Sequence, residues 1–221
     1  MKPANLSLIH LVRPPLTPPA IGEKAPLLLL LHGVGSHEGD LFGLADDLDP
    51  RFFVVSARAP LARGGGFGWY PVEFTDAGPV ADETQATKSR DLLLTFIAEA
   101  VTAYDLDKRR VFLTGFSQGA IMSLYLVLSY PETVAGVAVM SGRLLESALM
   151  ERASDDRLAG LPILAVHGLY DTVLPITEGR RIGEELAKLP VALTYHEYPM
   201  AHSVSAQSFA QVTAFLTAQL G

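Results

Sequence analysis

The segment VFLTGFSQGA, residues 111–120, joins a short apolar run to a longer apolar stretch. The run contains β-branched and aromatic residues and is too short for a buried helix, so it predicts a strand that ends at Gly115. The stretch 117–129 is apolar nearly all round, which predicts a deeply buried helix. Ser117 stands between Gly115 and Gly119 at the turn, and a G-x-S-x-G pattern between strand and helix is typical of a nucleophile on a sharp turn.

The two glycines have a physical reason in such a turn. A turn this sharp holds the serine in strained dihedral angles, and a Cβ atom at Gly115 or Gly119 would clash with neighbouring elements. The helix N-terminus beneath the serine favours negative charge. We therefore expect Ser117 Oγ to stand above the sheet as a nucleophile; the alternative is an incidental serine in a glycine-rich turn.

Five further apolar runs end in Gly, Ser or Pro and are also predicted to be strands. The predicted strands cover residues 27–33, 52–60, 110–115, 135–142, 162–168 and 193–199. Apolar residues at helical spacing predict further helices. These helices cover residues 82–104, 176–188 and 205–219, and Asp82 or Thr84 is the expected N-cap of the first.

Fully apolar strands that alternate with helices indicate an α/β fold with a mostly parallel central sheet and helices on both faces. The length of 221 residues suits a single domain over residues 1–221. The Pro-rich segment 13–26 is expected to be a surface connection. The Gly- and Pro-rich segment 61–80 is expected to be a long loop without regular elements.

A serine nucleophile needs a base, and the base needs an acid that orients it. Asp171 follows the predicted strand that ends in HGLYD, and His202 lies in YPMAHSVS before the last helix. The order Ser, Asp, His is the one found with a nucleophile of this type, and all three residues fall at one edge of the sheet. The competing candidates are His32, His37, His167 and His196 for the base, and Asp155 and Asp156 for the acid.

The segment HGVGS (32–36) follows the first leucine-rich strand. A loop at this place supplies one backbone N–H group to an oxyanion hole, and the residue after the nucleophile supplies the other. In this chain the loop residue that supplies the first N–H group is expected to be Val34, and the residue after the nucleophile is Gln118. The alternative for this segment is a metal site, since four potential ligands lie close together in it: His32, His37, Glu38 and Asp40.

The composition of the chain restricts the classes of partner and the cellular compartment that can be expected. The chain has 17 Lys and Arg against 24 Asp and Glu, a net charge of −7, which argues against nucleic acid and anionic membranes as partners. It has no cysteine, which excludes disulfides and thiolate metal sites. The N-terminal segment lacks a signal-peptide pattern, and the longest apolar stretch of the chain, Leu27–Leu31, is too short to span a bilayer. A cytoplasmic protein is expected.

Six segments stand in the order seen in a known family. They are LLLLLHGVGSHEGDLFGLADDL, SARAP, GWY, GFSQGA, HGLYDTVLP and AHSVS. Over residues 27–215 the chain thus resembles the phospholipase/carboxylesterase family of α/β-hydrolases, which includes small bacterial carboxylesterases and acyl-protein thioesterases. The resemblance implies a serine esterase without metal or organic cofactor, in which Ser117 is the nucleophile, Asp171 the acid and His202 the base. It also implies oxyanion-hole positions at Val34 and Gln118.

The resemblance further implies that Trp69 lines the acyl pocket; the alternative is a tryptophan that packs in the core. Weaker pocket candidates are Phe67, Tyr70, Leu174 and Met200, and the alternative for each is a place in the core. The stretch after Ser141 lacks the apolar character of an acyl-channel lid, which favours short- to medium-chain esters. The alternatives are a thioesterase or lysophospholipase for long acyl chains, and a binding protein of this fold without catalysis. A small-molecule ester is the expected partner, and the chain is expected to be a monomer or homodimer.

Overall fold

A computed structural model describes residues 2–75 and 78–221. Its strands are β1 (His10–Arg13), β2 (Leu27–Leu31), β3 (Phe53–Ala57), β4 (Leu61–Arg63), β5 (Gly66–Gly68), β6 (Val72–Thr75), β7 (Gly78–Ala81), β8 (Val111–Phe116), β9 (Gly136–Met140), β10 (Pro162–Gly168) and β11 (Ala192–Tyr198). Its helices are α1 (Gly39–Phe42), α2 (Glu83–Ala103), α3 (Gln118–Ser129), α4 (Glu146–Met150), α5 (Asp155–Leu158), α6 (Ile176–Leu186) and α7 (Ala206–Ala218). Short 3₁₀ turns cover Ala45–Asp47 and Pro131–Thr133.

Seven strands form the central sheet in the order β1-β3-β2-β8-β9-β10-β11. β1 pairs with β3 in the antiparallel sense, and all other neighbours in this sheet are parallel. From β2 the chain first adds strands on one side and then, from β8 on, on the other. A crevice opens at such a switch point, beyond the carboxyl ends of the strands. The predicted α/β fold with a mostly parallel sheet is confirmed.

The five leucines of β2 show why both faces of the sheet are covered. All five are fully buried, and they alternate between two cores. Leu27, Leu29 and Leu31 pack in the core that contains residues of α2, α3 and α6. Leu28 and Leu30 pack in the core that contains residues of α1 and α7. A strand with period-two side chains can be apolar throughout only when helices cover it on both sides.

Side-chain caps fix the start of two helices. The Asp82 carboxylate accepts a hydrogen bond from Gln85 N–H at 2.9 Å, so Asp82, not Thr84, caps α2. Ser205 and Ser208 form a reciprocal capping box at the start of α7. Both caps satisfy N–H groups that have no partner in the first turn of a helix.

The expectation of a loop without regular elements over residues 61–80 is wrong. β4 pairs with β5 and β6 pairs with β7, and each pair is antiparallel. Gly64 and Gly65 make the turn of the first hairpin with φ of +56° and +86°. These strands have only three or four residues, so their alternation is too short to stand out from the glycines and prolines around them.

No helix in the described part of the chain is long and apolar enough to cross a membrane.

The close packing at Gly119 predicts that a larger residue at this position destabilises the fold. A Cβ atom at this position would lie 1.9 Å from the carbonyl oxygen of Leu31, which belongs to the fixed backbone of β2. Gly119→Ala is therefore expected to lower the free energy of unfolding by about 3 kcal/mol or more, which corresponds to a fall in Tm of roughly 6–12 °C. Differential scanning calorimetry measures the change.

The matched control is Gly136→Ala in β9, where an added Cβ atom meets its nearest neighbour at 3.5 Å. Its Tm is expected to stay within about 3 °C of the parent value, since a Cβ atom at this distance makes an ordinary van der Waals contact and does not displace its neighbours. Equal Tm values for the two variants would contradict the close approach of α3 to β2.

Candidate active site

Ser117 lies on the sharp turn between β8 and α3. Its dihedral angles are φ +53° and ψ −118°, a region that non-glycine residues rarely adopt. The turn is held on both sides, because Ser117 N–H donates to Met140 O and Ser117 O accepts from Ile121 N–H. A Cβ atom at Gly115 would lie 2.4 Å from the backbone of Gly119. The strained turn and its two glycines thus agree with the sequence-based expectation.

Three side chains form a chain of hydrogen bonds at this turn. His202 Nε2 lies 2.9 Å from Ser117 Oγ, and His202 Nδ1 lies 2.6 Å from Asp171 Oδ2. Ser117 is 8% exposed, and the Asp171 side chain is fully buried. The ring of Phe116 packs against the imidazole of His202 with 4.9 Å between the ring centroids. The structure therefore brings together the serine, histidine and aspartate that the sequence singles out.

Asp171 is fixed by the loop that carries it. Its Oδ1 atom accepts hydrogen bonds from Val173 N–H at 2.9 Å and Leu174 N–H at 2.8 Å. His167, inside β10, places Nε2 2.8 Å from Leu174 O and 3.5 Å from Asp171 Oδ2. The first carboxylate oxygen thus holds the loop, which leaves the second one for His202.

The loop after β2 lies beside Ser117. A Cβ atom at Gly33 would lie 3.3 Å from Ser117 Cβ. The N–H group of Val34 has no acceptor among residues 2–75 and 78–221. Gln118 is the first residue of α3, so its N–H group has no acceptor within its own helix. Two free backbone donors are thus available next to the serine.

His32 shapes this loop from within the core. Its Nδ1 atom lies 2.8 Å from Gly33 O, and its Nε2 atom accepts from Ala59 N–H at 3.0 Å. Burial lowers the pKa of His32, and its hydrogen bond to the Gly33 carbonyl partly offsets this effect. A neutral ring with its proton on Nδ1 satisfies both contacts. His32 therefore orders the loop instead of acting as a base.

The other competing residues do not reach Ser117. His167 is engaged with Leu174, and His196 is exposed on β11. Asp155 and Asp156 are exposed, and Asp155 pairs with Arg152.

The potential metal ligands of the loop after β2 have other partners. The Glu38 carboxylate pairs with Arg58, and this hydrogen bond lowers the pKa of Glu38. Asp40 accepts a hydrogen bond from Ser36, and His37 accepts one from Gly39 N–H. Within the described ranges, no three His, Asp or Glu side chains are placed to hold a metal ion.

An inner cavity of about 40 Å³ opens beside Ser117. Its lining is mostly aliphatic, with Ser117, Gln118, Tyr70 and one arginine as its polar members. The lining residues are Val34, Tyr70, Val72, Pro79, Ser117, Gln118, Ile121, Arg143, Val173 and Leu174. Of the five predicted pocket residues, Tyr70 and Leu174 line it.

Trp69, Phe67 and Met200 do not line the inner cavity, so the expectation that they do is wrong. Trp69 is fully buried in the core, where its Nε1–H donates to His32 O at 3.0 Å. Phe67 lies under the guanidinium of Arg58, 4.4 Å from it. Met200 is 7% exposed, and its carbonyl accepts from Tyr170 N–H. Phe67 and Trp69 lie in a glycine-rich stretch whose strands are too short for a periodicity that would show which side chains face a cavity.

The Gln118 side chain explains how Trp69 and Tyr70 are held. Its Oε1 atom accepts from Trp69 N–H at 2.7 Å, and its Nε2–H donates to Tyr70 O at 2.8 Å. The oxygen and the nitrogen of the amide therefore each bind the backbone before β6. Gln118 thus faces the site with its backbone N–H group, and its side chain joins α3 to the cavity wall.

An outer groove also borders Ser117. It is wider, with a volume of about 500 Å³, and more polar. Its lining residues are Gly33, Val34, Gly35, Ser36, His37, Asp40, Phe116, Ser117, Val173 and His202. His202 belongs to this groove and not to the inner cavity.

Five lining residues of the inner cavity escaped the sequence analysis: Val72, Pro79, Ile121, Arg143 and Val173. The sequence positions of two of them indicate that they lie near the site. Arg143 comes three residues after the end of β9, and Val173 two residues after Asp171, so both fall at the carboxyl edge of the sheet. Val72 and Pro79 belong to a hairpin that was not predicted.

The chain is similar to curated proteins and solved structures over most of its length. It is 29% identical to acyl-protein thioesterase 1 of Mycosarcoma maydis, with 86% of this chain and 89% of the relative covered. It superimposes on the crystal structure of esterase PE8 with a TM-score of 0.81 and 28% identity, covering 97% and 99% of the two chains. The Bacillus cereus carboxylesterase matches with a TM-score of 0.83, 22% identity and coverage of 96% and 94%; at this identity the likeness supports the fold.

The family assignment rests on the sequence itself. The profile of the family described as Phospholipase/Carboxylesterase matches residues 17–220, which is nearly the whole chain. The matched range contains the turn at Ser117, the loop of Asp171 and the loop of His202. The chain belongs to the phospholipase/carboxylesterase family.

Proposed function

We propose that the protein is a serine esterase that hydrolyses short-chain carboxylic esters through an acyl-enzyme, with Ser117 as nucleophile, His202 as base and Asp171 as the orienting acid. The observation that carries the proposal is the chain of hydrogen bonds from Ser117 Oγ through His202 to the buried Asp171 carboxylate, at 2.9 and 2.6 Å. Nucleophile and base in contact, with the base oriented by a third group, is the arrangement that activates a serine.

The proposed reaction has two halves. His202 Nε2 takes the proton of Ser117 as Oγ attacks the ester carbonyl, and then gives this proton to the departing alcohol oxygen. Water attacks the acyl-enzyme, its proton passes to His202, and the acid leaves as the proton returns to Ser117. In both halves the N–H groups of Val34 and Gln118 stabilise the oxyanion. A thioester would be cleaved by the same groups.

The position of His202 indicates how a bound ester is oriented in the site. A general acid must lie within hydrogen-bond reach of the oxygen that it protonates. His202 lines the outer groove and not the inner cavity, which supports the outer groove as the place of the leaving alcohol. The inner cavity then receives the acyl group.

The walls of the inner cavity favour short acyl groups. Ile121 is 4% exposed and Leu174 is 5% exposed, so both belong to the packed core and leave a cavity of only about 40 Å³. A packed core does not open without the loss of contacts elsewhere. A small-molecule ester is therefore the proposed substrate.

A cytoplasmic location and a monomeric or dimeric state remain predictions.

The first prediction of this proposal concerns the nucleophile. A fluorophosphonate probe is expected to label one residue, Ser117, because only this serine contacts His202 Nε2 in the described part of the chain. Peptide mass spectrometry locates the label. Ser141, which also has a positive φ angle but no contact with a histidine, provides a control: Ser141→Ala is expected to keep the label and Ser117→Ala to lose it. A label on another serine would refute the assignment.

The second prediction concerns Asp171→Asn. The remaining side-chain oxygen can still accept from Val173 and Leu174, so the loop is expected to persist. The new amide N–H faces His202 Nδ1 and forces the wrong tautomer, for which a loss of about 10⁴ in kcat is the known scale. Steady-state kinetics on ethyl butyrate measure it, with the surface variant Asp155→Asn as control. Near-parental activity in Asp171→Asn would show that another acid orients the base.

The third prediction concerns acyl length. Each buried methylene contributes about 0.8 kcal/mol, so kcat/KM is expected to rise roughly three- to fourfold per carbon from acetate until the inner cavity is full, near butyrate or hexanoate, and then to level or fall. Ile121→Ala enlarges the cavity and is expected to move the optimum to longer chains. A p-nitrophenyl ester series from acetate to palmitate measures both profiles. A steady rise to palmitate in the parent enzyme would contradict the short cavity.

A further inference from the structure

Arg143 brings a positive charge to the wall of the inner cavity, which is otherwise mostly aliphatic. It follows Ser141, whose φ angle is +50° and whose buried Oγ has no partner among the described residues. A Cβ atom at Gly142 would lie 2.9 Å from Ala120 Cβ, so the chain runs directly against the first turn of α3. A strained residue and a close contact with the helix of Gln118 thus bring Arg143 to the cavity.

The guanidinium of Arg143 has unused hydrogen-bond donors. Its Nη1–H donates to Pro79 O at 2.9 Å, and no carboxylate of residues 2–75 and 78–221 lies within 4.0 Å of it. Arg58 and Arg90 differ, because they pair with Glu38 and with Asp91 and Glu151. A guanidinium has five N–H donors in a planar fork that matches a carboxylate.

The polar side chain beside Arg143 in the wall of the inner cavity is a hydroxyl, and among the described residues no carboxylate lines this cavity. The Tyr70 hydroxyl lies in the field of Arg143, and burial raises the pKa of Tyr70, which keeps this phenol neutral. Glu83 is the acid whose charge also acts on Tyr70. Its carboxylate accepts from Ser147 N–H at 2.7 Å, and from Glu146 N–H, at the start of α4. A cation and a neutral hydroxyl donor therefore share the wall of the inner cavity.

We propose that the inner cavity accepts an acyl group that ends in a carboxylate, so that the enzyme hydrolyses half-esters of short dicarboxylic acids. This inference rests on the proposed function. Water and the half-ester give the dicarboxylic acid and an alcohol: the acyl–oxygen bond breaks, and His202 moves the proton as in the neutral reaction. The distal carboxylate stays ionised throughout and pairs with Arg143, and the Tyr70 hydroxyl is a second donor.

The size of the expected effect follows from the type of bond. Hydrogen bonds between two charged groups are stronger than neutral ones, and Arg–carboxylate pairs are often bidentate. Loss of one partner of such a pair changes kcat/KM by about 10- to 100-fold. A merely structural role of Arg143, as a strut to Pro79, would lower the rates of charged and neutral esters equally.

The experiment compares monoethyl succinate with ethyl 4-methylpentanoate. The two esters have the same leaving group and the same heavy-atom skeleton, because a terminal carboxylate replaces an isopropyl group. The measured quantity is the ratio of their kcat/KM values, followed by chromatography of the released acids. In the parent enzyme the ratio is expected to favour monoethyl succinate at least tenfold; in Arg143→Met it is expected to fall by about 10- to 100-fold. Arg180→Met removes an exposed arginine that pairs with Glu197 and is expected to leave the ratio unchanged.

A parent ratio near one, or a ratio that Arg143→Met does not change, would overturn the inference. In that case hydrolysis of ethyl butyrate that depends on Ser117 would leave the proposed function intact, whereas failure on every ester would remove both. A second measurement needs no variant: succinate and 4-methylpentanoate are compared as inhibitors of ethyl butyrate hydrolysis by the parent enzyme. Stronger inhibition by succinate that weakens with added salt supports the pairing, and weaker inhibition by succinate contradicts it.

Discussion

The first turn of α3 lies against the carboxyl end of β2 so closely that only a glycine fits at position 119. This contact sets the positions of the groups around Ser117. It brings the N–H group of Gln118 beside the loop that carries Val34, and it forces Ser117 into a strained conformation at the switch point of the sheet. The strain persists because β9 and α3 both bind the backbone of Ser117.

A buried carboxylate provides the second constraint. Asp171 has no solvent exposure of its side chain, and each of its oxygens has a separate task. One oxygen holds the loop after β10 through two backbone N–H groups, and the other faces His202. His202 lies in the loop between β11 and α7, and the capping box of α7 closes this loop. Because the carboxylate cannot turn without releasing its loop, it fixes the ring of His202. In the proposed reaction it also stabilises the imidazolium that forms.

The sequence was sufficient to predict the parts of the fold that long apolar runs encode. The parallel strands and the four longer helices follow from these runs, and Ser117, Asp171 and His202 follow from their places just beyond strand ends. The hairpins of β4 to β7 could not be predicted, because strands of three or four residues give too little alternation. The place of Trp69 in the core could not be predicted, because a lone tryptophan in a stretch without clear periodicity looks the same in sequence whether it faces the core or a cavity.

Arg143 shows a different limit. The stretch after Ser141 was interpreted through its lack of apolar character, which argued only against a long acyl channel. The significance of Arg143 depends on which carboxylates lie nearby in space, and sequence spacing does not contain that information. The same holds for Gln118, whose side chain is committed to Trp69 and Tyr70 across a hairpin that was not predicted.

The two sides of the site differ in how they are built, and this difference bears on how specificity can change. The inner cavity is formed by core side chains such as Tyr70, Ile121 and Leu174, all at most 5% exposed. The outer groove is bordered by loop residues such as His37 and Asp40, which are exposed. A change in the core alters packing and stability together, whereas exposed loop residues vary at little cost. In the proposed orientation of the ester, selectivity for the acid part is therefore tied to the stability of the fold, and selectivity for the alcohol part is free to change with the loop after β2.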